Sequence, residues 1–240
     1  MTEGAIFIGP LTAAEWEAVR LSLKVSLWSV LGCLPLALFL AYILARRRFP
    51  GIALLDGLVH LPLVLPPVVI GYLLLLFFGA TGPGGRLLEG LFGVTVAFRW
   101  TGAAIAAAVM GLPLMVRAIR LSIENIDRRL EVAARTLGAR RSHVFFTVIL
   151  PLALPGIVAG AILCFAKSFG EFGATITFVS NIPGETQTLP IAVYSALQVP
   201  GGEGAALRLS VIAIVISMAA LVGSEWFSRR LRRGRSRHEL

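Results

Sequence analysis

Residues Arg117–Pro151 read RAIRLSIENIDRRLEVAARTLGARRSHVFFTVILP. The stretch holds seven arginines against three acids, Glu124, Asp127 and Glu131. It is bounded by Thr101–Met115 and Val144–Phe165, both almost purely apolar and unsuited to a soluble surface. It therefore reads as a long, basic, partly helical loop between two membrane spans, cytoplasmic by the positive-inside tendency. Within it Leu130, Ala133, Ala134, Leu137 and Val144 recur at helical spacing, interrupted at Gly138. That spacing predicts a helix, a glycine turn and a second helix entering the membrane. A short amphipathic helix across a membrane face suits lipid anchorage or docking against another protein.

The rest of the composition agrees. The chain has 240 residues, 57% hydrophobic and 15% charged, against roughly 45–50% and about 25% for soluble domains. Several runs approach the ~20 apolar residues that cross a bilayer. The reading is one all-α integral membrane domain over 1–240, with a membrane-embedded core at about 18–228 and a basic cytoplasmic tail at 229–240. The net charge of +9 does not point to nucleic acid. Arg46–Arg48, the central loop and the six tail arginines between Arg229 and Arg237 hold 16 of the 22 basic residues. All three clusters flank apolar spans, where orientation and contact with anionic lipid of the bilayer account for them. Cys33 and Cys164 lie within apolar spans, without a CxxC partner or metal-ligand spacing, so no disulfide framework is expected. The first residues lack the basic and short apolar regions of a signal peptide.

Taken in order, the first span covers about Val19–Leu44 and ends at the cytoplasmic flag Arg46–Arg48. The second, about Leu54–Phe78, carries Pro62, Pro66 and Pro67, three prolines in six residues, which force a kink or break. A break leaves bare carbonyls, tolerated only against protein or a water-filled path. Both a pathway-lining helix and a kink packed in the bundle fit. His60 is read as a packed, hydrogen-bonded residue rather than a ligand. Gly79–Gly93 is a glycine-rich outer loop. The third span, about Thr101–Val116, is rich in small residues and should be central to the bundle. The fourth runs from about Phe145 to Phe169. The segment Gly170–Thr186 reads as outer face, and Leu189–Val199 as a re-entrant or surface helix, with a sixth crossing as the alternative. A last span, about Leu207–Phe227, leads to the arginine tail. Five crossings, with the N-terminus outside and the C-terminus inside, satisfy every charge cluster. No internal repeat, catalytic constellation, metal-ligand set or phosphate-binding GxxxxGK[ST] loop is present in the sequence.

The run Ala133-Ala134-Arg135-Thr136-Leu137-Gly138-Ala139, followed by Val148-Ile149-Leu150-Pro151, resembles the loop signature of binding-protein-dependent ABC importer permeases. That pattern is Glu-Ala-Ala, three residues, Gly, nine residues, Ile, one residue, Leu-Pro. Gly138, Leu150 and Pro151 fall on it; Val132 stands at the glutamate position, with Glu131 one residue early, and Val148 stands at the isoleucine. Val59–Leu76, Ala97–Glu124 and Ser168–Pro190, above all GEFGATITFVSNIPGET, are similar to the permeases of molybdate importers. Sulfate and thiosulfate permeases share the Gly-Glu-Phe-Gly core and are the close alternative.

The resemblance implies a type I ABC importer permease fold in the inner membrane of a prokaryote. It has five, or alternatively six, transmembrane helices and a cytoplasmic coupling helix. That helix and its motif would comprise Leu130, Val132, Ala133, Ala134, Leu137, Gly138, Ala139 and Pro151. It also implies a homodimer, two copies of a cytoplasmic ATP-binding subunit and an extracytoplasmic molybdate-binding protein. The chain would be no enzyme and bind no cofactor, ATP and Mg sitting on the partner. For a divalent oxyanion, broken helices at Pro62, Pro66 and Pro67 and at Gly170, Phe172 and Gly173 would offer backbone N–H groups along the path. Glu171 is awkward beside an anion, and a structural role is expected for it: paired, capping a helix or turned away. An ion-coupled secondary transporter is the reading from another class, but it calls for intramembrane carboxylates or histidines. Only His60 and, at an edge, Glu171 are on offer.

Overall fold

Thr12 begins the first helix with a reciprocal cap. Its hydroxyl accepts from Glu15 N at 3.3 Å, and the Glu15 carboxylate accepts from Thr12 N at 2.8 Å. The computed structural model describes residues 11–235, with side chains to 223; the expectations for the first residues and for the tail side chains Arg229–Arg237 fall outside that range. Helix α1 (Ala13–Arg46) is followed by α2 (Ile52–Val64), α3 (Pro67–Phe78), α4 (Pro83–Phe92) and α5 (Trp100–Glu124). Then come α6 (Arg128–Thr136), α7 (Arg141–Val144), a π-helical turn (Phe145–Ile149) and α8 (Leu150–Phe169). The series closes with α9 (Gly173–Val179), α10 (Leu189–Leu197) and α11 (Glu203–Arg235). The described residues contain helices and no strand.

By length and composition α1, α5, the continuous Arg141–Phe169 and α11 can cross a membrane, four spans, or five if the broken pair α2–α3 is counted as one. The pair turns by 113°. Leu65 is held extended ahead of Pro66, and neither Pro66 nor Pro67 can donate to a helix ladder. Val59 of α2 packs in a cluster with Leu44, Ile119 and Ile123 near the arginine-rich end. Ile70 of α3 packs with Ala103 and Phe178 in a second cluster towards the opposite end. The two helices thus pack into different clusters, and of the kink or break that the prolines force, the structure takes the break.

Helix α5 is the hub, as its small residues predict. Ala103, Ala106 and Ala107 are fully buried, and α1 and α8 lie against it. Close approach brings polar groups together in an apolar setting. Ser168 bonds Ser29 at 2.7 Å and the Ala107 carbonyl at 3.2 Å, and the Cys33 thiol donates to the Ala108 carbonyl. Both cysteines are free and buried. Outward the surface is apolar: Leu54, Val64, Ile214 and Val215 are all exposed, as bilayer contact requires.

Three boundaries differ from the sequence reading. The glycine-rich segment is not all loop: Pro83 at the first turn and a left-handed Gly93 at the end delimit α4. Helix α5 continues past Val116 to Glu124, so Arg117 and Arg120 stand on the helix and not in a loop. Arg120 is held there by Asp56 of α2 at 3.0 Å and Glu124 at 2.8 Å. The apolar Leu189–Val199 stretch forms the nine-residue α10, too short to cross. His60 is hydrogen-bonded as expected, its Nδ1 lying 2.9 Å from the Asp56 carbonyl.

Candidate coupling face and translocation path

Asp127 caps α6, accepting from Arg129 N at 2.9 Å. At the other end Gly138, with φ +87°, occupies a left-handed position that disfavours any side chain. Gly138 N donates to the Arg135 carbonyl and Ala139 N to the Ala134 carbonyl, the paired bonds of a Schellman stop. Both bounds follow from local sequence. None of α6 is buried, yet Val132 is 59% and Leu137 88% exposed. These are large apolar groups at the arginine-rich end of the bundle that the chain itself leaves uncovered.

Ala134, Leu137, Gly138 and Ala139 share one cleft of about 850 Å³ with His143 and the exposed Phe146. Leu130 and Ala133 are exposed on the helix beside it. Val132 lines a second pocket on the other side of α6. Pro151 is not in the cleft; it is the second residue of α8, just past the π turn. Its ring cannot accommodate the carbonyl four residues back, and the wider turn, with Leu150 N donating to the Phe145 carbonyl, displaces the carbonyls there.

What tethers α6 was invisible in the sequence. Arg46, at the end of α1, forms an ion pair with Glu131 at 2.7 Å and donates to the Ile126 carbonyl at 3.0 Å. Arg128 donates back to the Ala45 carbonyl at 3.4 Å. These groups are distant in sequence and carry no motif. The glutamate one residue early therefore has a partner on the first span.

The two helix interruptions meet. Pro62 lies a turn before the break, Pro66 caps α3 and Pro67 begins it. Gly170 ends α8, Phe172 caps α9 and Gly173 begins it. A Cβ on Gly173 would stand 2.8 Å from Pro67 Cβ, and one on Gly71 would stand 2.5 Å from the Ala174 carbonyl oxygen. Only glycine allows α3 and α9 this contact. Phe172 rests on Tyr194 with ring centroids 5.1 Å apart.

Glu171 is nearly buried, with its side chain 2% exposed. One carboxylate oxygen pairs with Lys167 at 2.7 Å, and the other accepts from Ala174 N at 3.1 Å. It is therefore both paired and capping, and it occupies an N–H at the start of α9. The i,i+4 spacing of Lys167 and Glu171 was the available signal for the pair. Beyond it, Thr186 is fully buried and ties the outer loop, accepting from Ile182 N and donating to the Ser180 carbonyl.

The sequence matches the family described as the binding-protein-dependent transport system inner membrane component over residues 34–233. It is 60% identical to the molybdenum transport system permease protein ModB of Escherichia coli (strain K12) over 94% of this chain and 99% of that protein. Identity to ModB of Haemophilus influenzae is 56%, over 91% and 96%. A sulfate transport system permease, CysT of Escherichia coli (strain K12), is 40% identical over 77% of this chain and 65% of its own length. Among solved structures, a bacterial ABC transporter involved in alginate import superposes with a TM-score of 0.71 at 18% identity, over 92% of this chain and 80% of that one. That likeness shows the fold, a type I ABC importer permease. The chain belongs to the family of binding-protein-dependent transport system inner membrane components, on its molybdenum permease branch.

Proposed function

We propose that this chain forms the path by which molybdate crosses the inner membrane, driven by a separate ATPase that grips α6. The observation that carries the coupling is that α6 exposes large apolar groups on two sides, Val132 and Leu137, while it is stopped by Gly138 and tethered to α1 through Arg46. Leu130, Ala133, Ala134 and Ala139 complete the docking surface, and Pro151 starts the span that relays its motion. Closure of two ATPase copies on ATP would move two copies of this chain as rigid bodies between inward-open and outward-open states. The differential affinity of ATP for the two states supplies the drive. ATP and Mg belong to the ATPase, and this chain holds no cofactor. A molybdate-binding protein delivers the anion on the outside, where the N-terminus lies, and the arginine tail lies inside.

The contact of the two breaks supports a path running past Pro62, Pro66 and Pro67 and past Gly170, Phe172 and Gly173. The Lys167–Glu171 pair leaves little net fixed charge there, which favours release of a dianion over tight capture. Uptake of labelled molybdate into proteoliposomes holding permease, ATPase and binding protein tests the reading. Uptake that needs ATP and survives excess sulfate is expected. Competition by sulfate would favour the sulfate branch, and uptake without ATP would refute the coupling.

A further inference from the structure

Under α6, between it, the end of α1, α7 and the π turn, lies a second pocket of about 250 Å³. Its lining includes Arg46, Arg47, Arg128, Arg135 and Arg141 and only one carboxylate, Glu131. Glu131 is already spent on Arg46, whose side chain is only 6% exposed. The pair is close but poorly aligned, so Arg46 Nε and Glu131 Oε1 are buried without a well-formed hydrogen bond. Arg128 reaches the Ala45 carbonyl. Among the described residues, the side chains of Arg47, Arg135 and Arg141 have neither ion pair nor hydrogen bond, unlike those of Arg46 and Arg128. Like charges gathered in one concavity repel, and an anion there would remove that cost. Guanidinium forks suit the oxygens of a tetrahedral oxyanion, which they bind two at a time.

We propose that this pocket binds one phosphate-class oxyanion, which clamps α6 to the end of α1 and to α7. The pocket sits where the first span meets the arginine cluster, at headgroup level, so the oxyanion is either an anionic lipid headgroup or a free dianion from the solution. It differs from the coupling cleft, which lies on the other side of α6 and is lined by Leu137 and Phe146. Occupancy would stiffen the helix and set how firmly it presents its docking edge.

The test reads binding on the permease alone, so its outcome is independent of ATPase docking. Backbone hydrogen exchange over residues 129–139 is followed in nanodiscs of phosphatidylcholine only. Inorganic phosphate is then added against chloride at matched ionic strength, or phosphatidylglycerol is built into the disc. Ligand at about ten times its Kd should slow exchange roughly tenfold. Slowing by phosphate in the neutral disc identifies a free oxyanion; slowing only with phosphatidylglycerol identifies a headgroup. Arg135→Gln with Arg141→Gln should abolish the effect, while Arg86→Gln, on α4 at the far end, should retain it. Arg47→Gln, at an exposed position, should weaken it even if the double variant fails to fold. No slowing by either ligand, or equal slowing in the arginine variants, would overturn the proposal.

Discussion

Replacing Glu171 separates a structural carboxylate from one that guards an anion path. Glu171→Ala removes the cap on Ala174 N, worth about 1 kcal/mol, and leaves Lys167 without its partner at 2.7 Å. A stranded charged donor costs about 1–3 kcal/mol. The lower half applies because the Lys167 side chain is 32% exposed and water takes up part of the loss. The total is about 2–3 kcal/mol, or roughly 5–10 °C in Tm for a chain of this size. Glu171→Gln retains an oxygen for Ala174 N and loses only the charge, so about 1 kcal/mol and roughly 2–4 °C are expected. Thermal unfolding of the purified permease in detergent, followed by tryptophan fluorescence, measures both. ATP-driven uptake should track stability, with Gln close to wild type and Ala reduced. Wild-type stability in Glu171→Ala, together with faster uptake in Glu171→Gln, would refute the structural role and mark Glu171 as an electrostatic barrier.

Leu137→Asp should weaken co-purification of the ATPase by roughly thirtyfold, from about 2 kcal/mol of lost apolar burial, with membrane insertion unchanged; undiminished co-purification would remove α6 from the docking surface. Gly71→Leu should prevent α3 from seating on α9, since a Cβ alone would stand 2.5 Å from the Ala174 carbonyl. Gel filtration should then show loss of the monodisperse peak, and a normal profile would contradict the contact. Single cysteines at Asn181 and Leu130 should be labelled by an impermeant maleimide from the outside and the inside respectively, and the reverse pattern would invert the topology.

The sequence was legible wherever a local rule sufficed. Asp127 and Gly138 bound α6 by capping and by a left-handed stop, the small residues of α5 mark it as the hub, and the paired prolines break α2 from α3. Each of these signals lies within a few residues of its effect. Signals were missed where the rule was present but overlooked, as with Pro83 and Gly93 around α4 and the Lys167–Glu171 spacing. The end of α5 misled for another reason: Arg117 and Arg120 look like loop residues, and the partner that Asp56 supplies to Arg120 comes from another helix.

By itself, then, the sequence determined an all-helical membrane protein with a short basic helix between two of its spans, because hydropathy, charge bias and capping act over short stretches of chain. Only the tertiary structure decided that the two helix breaks abut, that Arg46 holds Glu131, and that five arginines share one pocket. Those facts depend on which helix faces which. That is fixed by packing small residues between α1, α5 and α8, and no periodicity along one helix records it.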